Sequence, residues 1–363
     1  KMTQNCPPKP WLSIEQQLEL MRSRGMHISC TARAASMLKE FGYYRLSGYS
    51  YVLREVDPET GVRLNSFKGG TSFDYVIELY EFDKMLRLLI LDALERIEIS
   101  FRTSISYHLG QTDPLFYKNP DNFKTEFRTT QYPIWLKKQQ EKIEQSKEDC
   151  IRHNTKKYGD NIPVWVVCQT WEFGQLTWLL GMLNYKEVES ISQNYGFFGS
   201  KSFLTWLKCL KELRNICAHH SRLWNRVFSF YPNKPVKKDA HAPISWSAAF
   251  DENEKQTLFF RVCGIIHFLK FIESESTWEE RFKSALKKFP SAPELDVTLE
   301  CMGFPEDWEE QIECIKNNLP RTPQSTESTG LEEGLGVNIL SKKISKYQII
   351  QCVCVRIRPY ASS

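Results

Sequence analysis

The hydrophobic positions of the chain recur mostly at helical spacing, and the longest example lies between residues 72 and 109. Apolar side chains there recur every three or four residues, with no Pro or Gly before Gly110. This spacing places them on one face, so it predicts one long helix or two nearly continuous ones. The apolar set is Phe73, Val76, Ile77, Tyr80, Leu86, Leu89, Ile90, Ala93, Leu94, Ile97, Phe101 and Ile105.

Start and stop signals predict shorter helices before this segment. Ser13 and Gln16 form a capping-box pattern that opens a helix, and Gly25 ends it. A second helix is predicted at residues 31–41, where Gly42 stops it. The aromatic stretch GYYRLSGYSYVLRE, which follows directly, is compatible with either a short helix or an irregular segment.

Further helices are predicted after the long segment. We expect a charged helix at 134–158, an apolar helix that starts at Pro163 and is interrupted at Gly174, and a helix capped by Ser200 or Ser202. Helices at 252–272 and 277–289 complete the pattern. The helical spacing of Trp165, Trp171 and Trp178 predicts that all three lie in the core. The fold class that follows is all-α.

The composition changes at residue 321. The stretch TPQSTESTGLEEGLG is rich in Thr, Ser and Gly, which is typical of a linker. We therefore expect an all-α domain at 1–320 and a flexible, poorly ordered tail at 321–363. The final segment YQIIQCVCVRIRPY alternates like a strand, but the sequence offers it no evident partner.

Composition also restricts the class of protein. Hydrophobic residues make up 41% and aromatic residues 13% of the chain, which is enough for a core and excludes a disordered protein. The net charge of +4 does not by itself imply nucleic acid. The start of the sequence lacks the apolar segment of a signal peptide, and no apolar run approaches the roughly 18–20 residues that span a membrane. Eleven cysteines scattered in apolar stretches favour a reducing cytoplasm.

The candidate chemistry lies in RNICAHH, residues 214–220, which contains two adjacent histidines. At about 100° per residue, the steps from Leu213 to His220 add up to about 700° and return to nearly the same face of a helix. His220 is therefore predicted to continue the buried stripe and to have a supporting, structural role.

The other polar residues of this segment form the edge of the helix. Asn215 and His219 are four residues apart and lie one above the other, and Arg222 follows three residues later. Arg214 enters from the side, at about 140° from His219 on an ideal helix. The pair lines one cleft if the helix ends near His219, or if two copies face each other across a two-fold axis. A homodimer is therefore the expectation if the pair is catalytic.

RNICAHH fits the R-N-x-x-x-H signature of HEPN (higher eukaryotes and prokaryotes nucleotide-binding) ribonucleases. Longer segments, in the family's order and over roughly residues 10–315, resemble bacterial Abi-like proteins of the AbiD/AbiF group. These segments are YYRLSGY (43–49), LYEFDKMLRLLILDALERIEISFR (79–102), PVWVVCQTWEFGQL (163–176), LKELRNICAHHSRLWNR (210–226) and MGFPEDW (302–308).

The resemblance implies an abortive-infection protein that resists bacteriophage. It implies an all-α HEPN-type bundle with a core at about 72–226 and additional helices at both ends. It also implies that Arg214 and His219 are the catalytic pair, with Asn215 as the polar residue of the motif. RNA is the implied substrate, and some members of the family work with a small non-coding RNA.

These residue types suit RNA cleavage without a metal or a cofactor. Histidine side chains titrate near neutral pH, so His219 can act as base or acid. An arginine stays charged and binds phosphate oxygens with several donors, which suits Arg214. Asn215 can orient His219 or bind the phosphate. No carboxylates with metal-ligand spacing accompany the motif, and the predicted product carries a 2′,3′-cyclic phosphate.

Glu98 and Arg102 are predicted to support the site. They are four residues apart, in the orientation that favours a salt bridge along a helix. The alternative is that Glu98 reaches the cleft and positions Arg214. Near the motif, basic residues and one tryptophan predict an RNA-binding rim formed by Lys208, Lys211, Trp224 and Arg226.

Two other functions remain open at this stage. The basic helix can hold a non-coding RNA without cutting it, as an RNA-binding or antitoxin-like partner does. The motif can also modify a nucleotide or a partner, as some HEPN proteins do.

Overall fold

The computed structural model describes residues 9–273 and 276–317. Over these residues the regular secondary structure is helical except for one pair of short strands. The all-α prediction is therefore confirmed. The predicted tail at 321–363 and its strand-like segment lie outside the described residues.

The chain forms two compact units. The first consists of residues 9–85 and 288–301, and the second of residues 86–273, 276–287 and 302–317. The first unit contains helices α1 (Ile14–Ser23), α2 (Thr31–Phe41) and α3 (Tyr43–Ser50), strands β1 (Arg54–Val56) and β2 (Arg63–Phe67), and the start of α4 (Phe73–Thr112).

The first helices begin and end where the sequence predicts. The Ser13 hydroxyl accepts a hydrogen bond from the Gln16 amide at 3.3 Å, and the Gln16 side chain accepts one from the Ser13 amide at 2.9 Å. Helix α2 ends at Gly42, whose φ of 80° lies in the region that favours glycine. The aromatic stretch that follows Phe41 contains the short helix α3, which is one of the two conformations that the sequence allows.

Strands β1 and β2 form an antiparallel hairpin that the sequence pattern did not predict. The Asp57 side chain accepts hydrogen bonds from the Glu59 and Thr60 amides, both at 2.9 Å. Gly61 completes the turn with a φ of 68°. The strands are short and largely polar, so they lack the period-two alternation that marks a strand in a sequence.

Helix α4 is the single long helix that the apolar spacing predicts. It buries Leu94, Ile97, Phe101 and Ile105 completely or almost completely. The helix continues through Gly110 to Thr112, slightly beyond the expected end. Its second half belongs to the second unit, together with α5 (Thr125–Arg128), α6 (Gln131–Gln145), α7 (Asp149–Tyr158), α8 (Val164–Val167), α9 (Phe173–Met182), α10 (Tyr185–Gln193), α11 (Ser200–Ala218), α12 (Leu258–Ile272), α13 (Trp278–Leu286) and α14 (Trp308–Lys316).

Several boundaries in the second unit differ from the prediction. The charged helix expected at 134–158 is divided into α6 and α7. The apolar helix expected from Pro163 forms only the single turn of α8, and α9 then starts at Phe173. Gly174 therefore lies inside a helix and does not interrupt one. The helix expected at 252–272 starts later, because Thr257 is its N-cap and accepts a hydrogen bond from the Phe260 amide at 3.4 Å.

Helix α11 carries the candidate motif at its C-terminal end. Its buried face agrees with the predicted stripe. The N-terminus differs, since neither Ser200 nor Ser202 is the cap. Gly199 is the N-cap residue, and the buried Asp239 carboxylate accepts hydrogen bonds from the Phe198 and Gly199 amides, both at 2.8 Å. The buried residues of the stripe are Phe203, Trp206, Leu207, Leu210, Leu213 and Cys217.

Helix α12 packs closely against α11. The rings of Trp206 and Phe260 have centroids 5.0 Å apart, and Gly264 lies directly against the Trp206 indole. A Cβ atom at Gly264 would overlap this ring, so the glycine permits the close approach of the two helices. Further along α12, the buried His267 accepts a hydrogen bond from the Trp246 indole at 3.2 Å and donates one to the Tyr195 carbonyl at 2.9 Å. This packing fixes the helix that carries the motif.

Candidate active site

Helix α11 ends inside the RNICAHH segment. Ala218 is its last residue and His219 is the C-cap. The Ser221 amide donates a hydrogen bond to the Ile216 carbonyl at 3.0 Å, and the His220 amide donates one to the Cys217 carbonyl at 3.1 Å. This pair of bonds is the Schellman arrangement, which requires a left-handed residue after the C-cap. His220 is that residue, with a φ of 56°.

The termination of the helix corrects the prediction for His220. The helical arithmetic placed this side chain on the buried stripe, but it is exposed. The arithmetic failed because it assumed a regular helix through position 220, whereas the backbone leaves the helix after Ala218. His219 and Asn215 are also exposed, and the His219 amide donates to the Asn215 carbonyl at 2.9 Å. Both histidines therefore reach solvent from the end of the helix.

Arg214 lies one turn before this end. Its Nε atom is 3.6 Å from the Glu98 carboxylate, and its Nη1 atom donates to the Asn215 side-chain oxygen at 3.4 Å. The Arg214 side chain is 32% exposed. The guanidinium is thus held by a carboxylate while about a third of the side chain remains exposed.

Glu98 connects Arg214 to the rest of the unit. Its side chain is only 12% exposed, and its second oxygen is 3.0 Å from Arg102 Nη2. The same Arg102 nitrogen donates to the Trp171 carbonyl at 3.0 Å. Burial raises the pKa of Glu98, although the charges of Arg214 and Arg102 and a hydrogen bond from the Phe173 amide oppose this effect. The carboxylate is therefore held by partners from three segments of the chain.

Glu98 makes the contacts that both interpretations require. It forms the salt bridge with Arg102 along α4, and it also contacts Arg214 on α11. The start of α9 also holds Glu98, because the Phe173 amide donates a hydrogen bond to its carboxylate. Next to Phe173, Glu172 pairs with Lys142 at 2.5 Å, and the Gln175 side chain accepts a hydrogen bond from the Glu172 amide. Three of the segments that carry the family resemblance, 79–102, 163–176 and 210–226, thus meet at the Glu98 carboxylate.

The predicted RNA-binding rim is only partly exposed. Lys208 is exposed, and Lys211 is half-buried. Arg226 is also half-buried, and its Nε atom donates to the Arg222 carbonyl at 2.8 Å. Trp224, in contrast, is fully buried, so the prediction that it belongs to an exposed RNA-binding rim is wrong. The chain turns back into the core after the helix ends, which the basic surroundings of this residue did not indicate.

The three tryptophans that were expected in the core have different environments. Trp171 is fully buried, as predicted. Trp165 is 47% exposed, and Trp178 is half-buried, with its indole donating to Gln131 at 3.0 Å. The prediction assumed one continuous helix from Pro163. Because α8 ends after a single turn, the three side chains do not share a face.

Arg261 is a residue of this region that the sequence interpretation missed. It is fully buried on α12, where its Nη2 atom lies 3.3 Å from Glu212 and also donates to the Phe230 carbonyl. Its guanidinium lies over the Phe228 ring, 4.6 Å from the centroid. Arg261 therefore ties α11 to the segment that follows the motif. A single arginine within the apolar run LFFRVCGIIHF was the available signal.

Between residues 9 and 317, apart from 274–275, no group of His, Cys, Asp and Glu side chains has the arrangement of a metal site. The helices over the same residues include none that is both long and apolar enough to cross a membrane.

Comparison with known proteins gives one match. A family model described as "Abi-like protein" matches residues 36–225, just over half of the chain. The match includes Glu98, Arg102 and the whole RNICAHH segment, and it ends before α12. No curated protein and no solved structure matches the chain.

Proposed function

The chain belongs to the family of Abi-like proteins, and from this premise we propose that it is a HEPN-type endoribonuclease of the cytoplasm. The family connects the chain with abortive infection, a defence against bacteriophage. RNA cleavage is the finer proposal, and it rests on the R-N-x-x-x-H motif. The chain keeps Arg214, Asn215 and His219 in that motif.

One observation supports catalysis above the other functions. Arg214 is held by the buried Glu98 at 3.6 Å, yet about a third of its side chain remains exposed. A purely structural arginine would have its guanidinium enclosed, as Arg261 has. A carboxylate that holds a partly exposed arginine resembles the arrangement that enzymes use to present positive charge to a phosphate.

The proposed reaction is an internal transesterification of RNA. The ribose 2′-oxygen attacks the adjacent phosphorus, the bond from phosphorus to the 5′-oxygen breaks, and a 2′,3′-cyclic phosphate and a 5′-hydroxyl result. His219 takes the proton from the 2′-hydroxyl or supplies one to the leaving oxygen. Arg214 stabilises the charge that develops on the phosphate oxygens, and Asn215 orients the phosphate or the imidazole.

Two copies of the motif supply the groups that this reaction needs. One motif offers a single histidine in the catalytic position, while the reaction requires a base and an acid. A homodimer with both α11 ends in one cleft would bring two arginines and two histidines together.

The alternative is a non-catalytic protein that holds a non-coding RNA. The positive surface around the motif favours it, because Lys208 is exposed and the acidic neighbour Glu212 is already paired with Arg261 at 3.3 Å. A net positive surface attracts the phosphate backbone without any chemistry.

Purified protein incubated with single-stranded RNA in EDTA separates the two functions. Repeated turnover with cyclic-phosphate and 5′-hydroxyl ends supports the enzyme. Arg214→Ala should lower the rate by about 100-fold or more and leave the protein folded, since Glu98 keeps its Arg102 partner. Stoichiometric RNA binding without turnover would contradict the enzyme and favour the binding protein. Sequencing the nucleic acid that co-purifies identifies a bound non-coding RNA.

A further inference from the structure

A cavity of about 420 Å³ opens on the surface of the second unit, beside the C-terminal half of α4. One side of the cavity is the helix itself, and the opposite side is the tryptophan of α8. It is lined by Thr103, Ser106, Tyr107, Gly110, Gln111 and Trp165.

Two aromatic rings of this cavity are exposed. Tyr107 is 76% exposed and Trp165 is 47% exposed. Most other tryptophans of the second unit are buried, including Trp135, Trp171 and Trp206. Exposing a large aromatic ring forgoes the stability that burial would give, so exposed rings in a cavity suggest a binding role.

Gly110 fixes the position of the Trp165 ring. A Cβ atom at Gly110 would lie 2.9 Å from Trp165 Cε3, which is too close, and 3.3 Å from Val164 Cγ1, which is tight. The glycine therefore allows the indole to lie directly against the backbone of α4. Trp165 thus forms a fixed wall of the cavity, while its outer part stays accessible.

The cavity lies on the same helix, α4, as Glu98 and Arg102 of the candidate active site. Glu98, Arg102, Ser106 and Gly110 follow one another at four-residue spacing, which forms a ridge that turns by about 40° per step around the helix. Glu98 contacts Arg214, and Ser106 lies about 12 Å further along the helix axis. An RNA strand with a phosphate at Arg214 can therefore reach the cavity within a few nucleotides.

We propose that this cavity binds a nucleobase of single-stranded RNA, next to the phosphate that is cleaved. The proposal rests on the proposed ribonuclease function and adds a substrate-binding site to it. The indole of Trp165 and the phenol ring of Tyr107 stack on the base, and stacking accepts all four bases. The Thr103 hydroxyl and the Gln111 amide, both on the rim, are available to the polar edge of the base.

The test uses a short DNA oligonucleotide that contains one ribonucleotide, so that a single phosphate can be cleaved. A second set of oligonucleotides carries one abasic residue, placed in turn at each position around that phosphate. With the wild-type protein, kcat/KM should fall about tenfold at one nearby abasic position. The kcat/KM of Trp165→Ala should be lower by the same factor on the intact oligonucleotide. The abasic residue at that position should not lower the kcat/KM of this variant further. Trp165→Phe, which keeps a ring, should remain close to wild type.

Tyr158→Ala is the matched control, because Tyr158 is 46% exposed on another helix and lies outside the cavity. It should cleave all oligonucleotides like the wild type. The proposal is overturned if Trp165→Ala cleaves like the wild type, or if it shows the same abasic penalty. A change of Trp165→Ala from dimer to monomer in size-exclusion chromatography would also overturn it, because the face would then join two copies of the chain.

Failure of the ribonuclease proposal would give a different result. If the wild type does not cleave, anisotropy of a labelled single-stranded RNA measures binding to the same variants. Affinity that depends on Trp165 and on one base would support the cavity and contradict the enzyme. Affinity that depends neither on Trp165 nor on one base would contradict base binding in the cavity, and so would the absence of RNA binding.

Discussion

The Nε atom of Arg214 lies 3.6 Å from a carboxylate oxygen of Glu98, on a different helix. The second oxygen of Glu98 lies 3.0 Å from Arg102, which is itself bonded to the Trp171 carbonyl. Glu98 is therefore fixed independently of Arg214. This relationship makes Glu98 a positioning residue for the guanidinium in the proposed reaction.

Glu98→Gln should lower RNA cleavage by about 10- to 100-fold, because the amide holds the Arg214 guanidinium less firmly. The free energy of unfolding at neutral pH should not fall. Burial raises the pKa of Glu98 in the folded state. The free energy of unfolding therefore falls as the pH rises through that pKa and the carboxyl ionises. The neutral amide of Gln does not ionise, so the variant avoids this loss.

Single-turnover cleavage and thermal unfolding measure these two effects. Glu95→Gln makes the same change at an exposed position of the same helix and should alter neither. Unchanged cleavage in Glu98→Gln would show that the ion pair does not position Arg214.

His267 should make the protein less stable in acid. Burial lowers its pKa to about 3, whereas the unfolded chain binds this proton near pH 6.5. Between these values the unfolded state holds more protons, so the free energy of unfolding falls as the pH is lowered from about 6.5 towards 3. In His267→Gln the amide can make both hydrogen bonds and does not titrate. The loss of stability between neutral pH and pH about 4 should therefore be smaller in the variant, as measured by chemical denaturation. Equal losses of stability in the wild type and in His267→Gln would show that His267 is not the cause of the acid sensitivity.

Gly264→Ala should destabilise the second unit by about 2 kcal/mol or more, because the new methyl group overlaps the Trp206 ring between α11 and α12. Urea unfolding measures the change. Gly181→Ala is the control, since a Cβ there meets no neighbour and Gly181 lies within α9. That change should be neutral or stabilise by about 0.5 kcal/mol. Similar values for the two variants would contradict the close packing at Gly264.

His220→Gly should leave the free energy of unfolding unchanged or raise it by up to about 1 kcal/mol. His220 has a φ of 56° at the end of α11, and glycine adopts this conformation without strain. Denaturant unfolding provides the measurement. A loss of more than about 1 kcal/mol would show that the imidazole itself holds the end of the helix.

Local signals in the sequence predicted the elements whose ends depend on local chemistry. The capping box at Ser13 and the glycine at Gly42 placed α1 and α2 correctly. The apolar spacing of α4 was equally clear, since no breaker interrupts it before Gly110. The Arg214, Asn215 and His219 motif was visible for the same reason, because its residue types stand together in the chain.

The remaining errors concern features that depend on distant contacts. No glycine or proline marks the end of α11, so the sequence pattern predicted a helix that continued past Ala218. It therefore did not indicate that His220 is left-handed or that Trp224 is buried. The N-terminal cap comes from Asp239, far along the chain. The contact of Glu98 with Arg214 was only one of two alternatives, because spacing along one helix cannot show what a second helix brings near.

The comparison of His219 with His220 tests the central claim most directly, because both side chains are exposed and adjacent. Wild-type protein, His219→Ala and His220→Gly are incubated with the oligonucleotide that contains one ribonucleotide, in EDTA, and cyclic-phosphate product is measured. The account predicts a loss of at least about 100-fold in His219→Ala and near wild-type cleavage in His220→Gly. Unchanged cleavage in His219→Ala, with the protein folded, would contradict it.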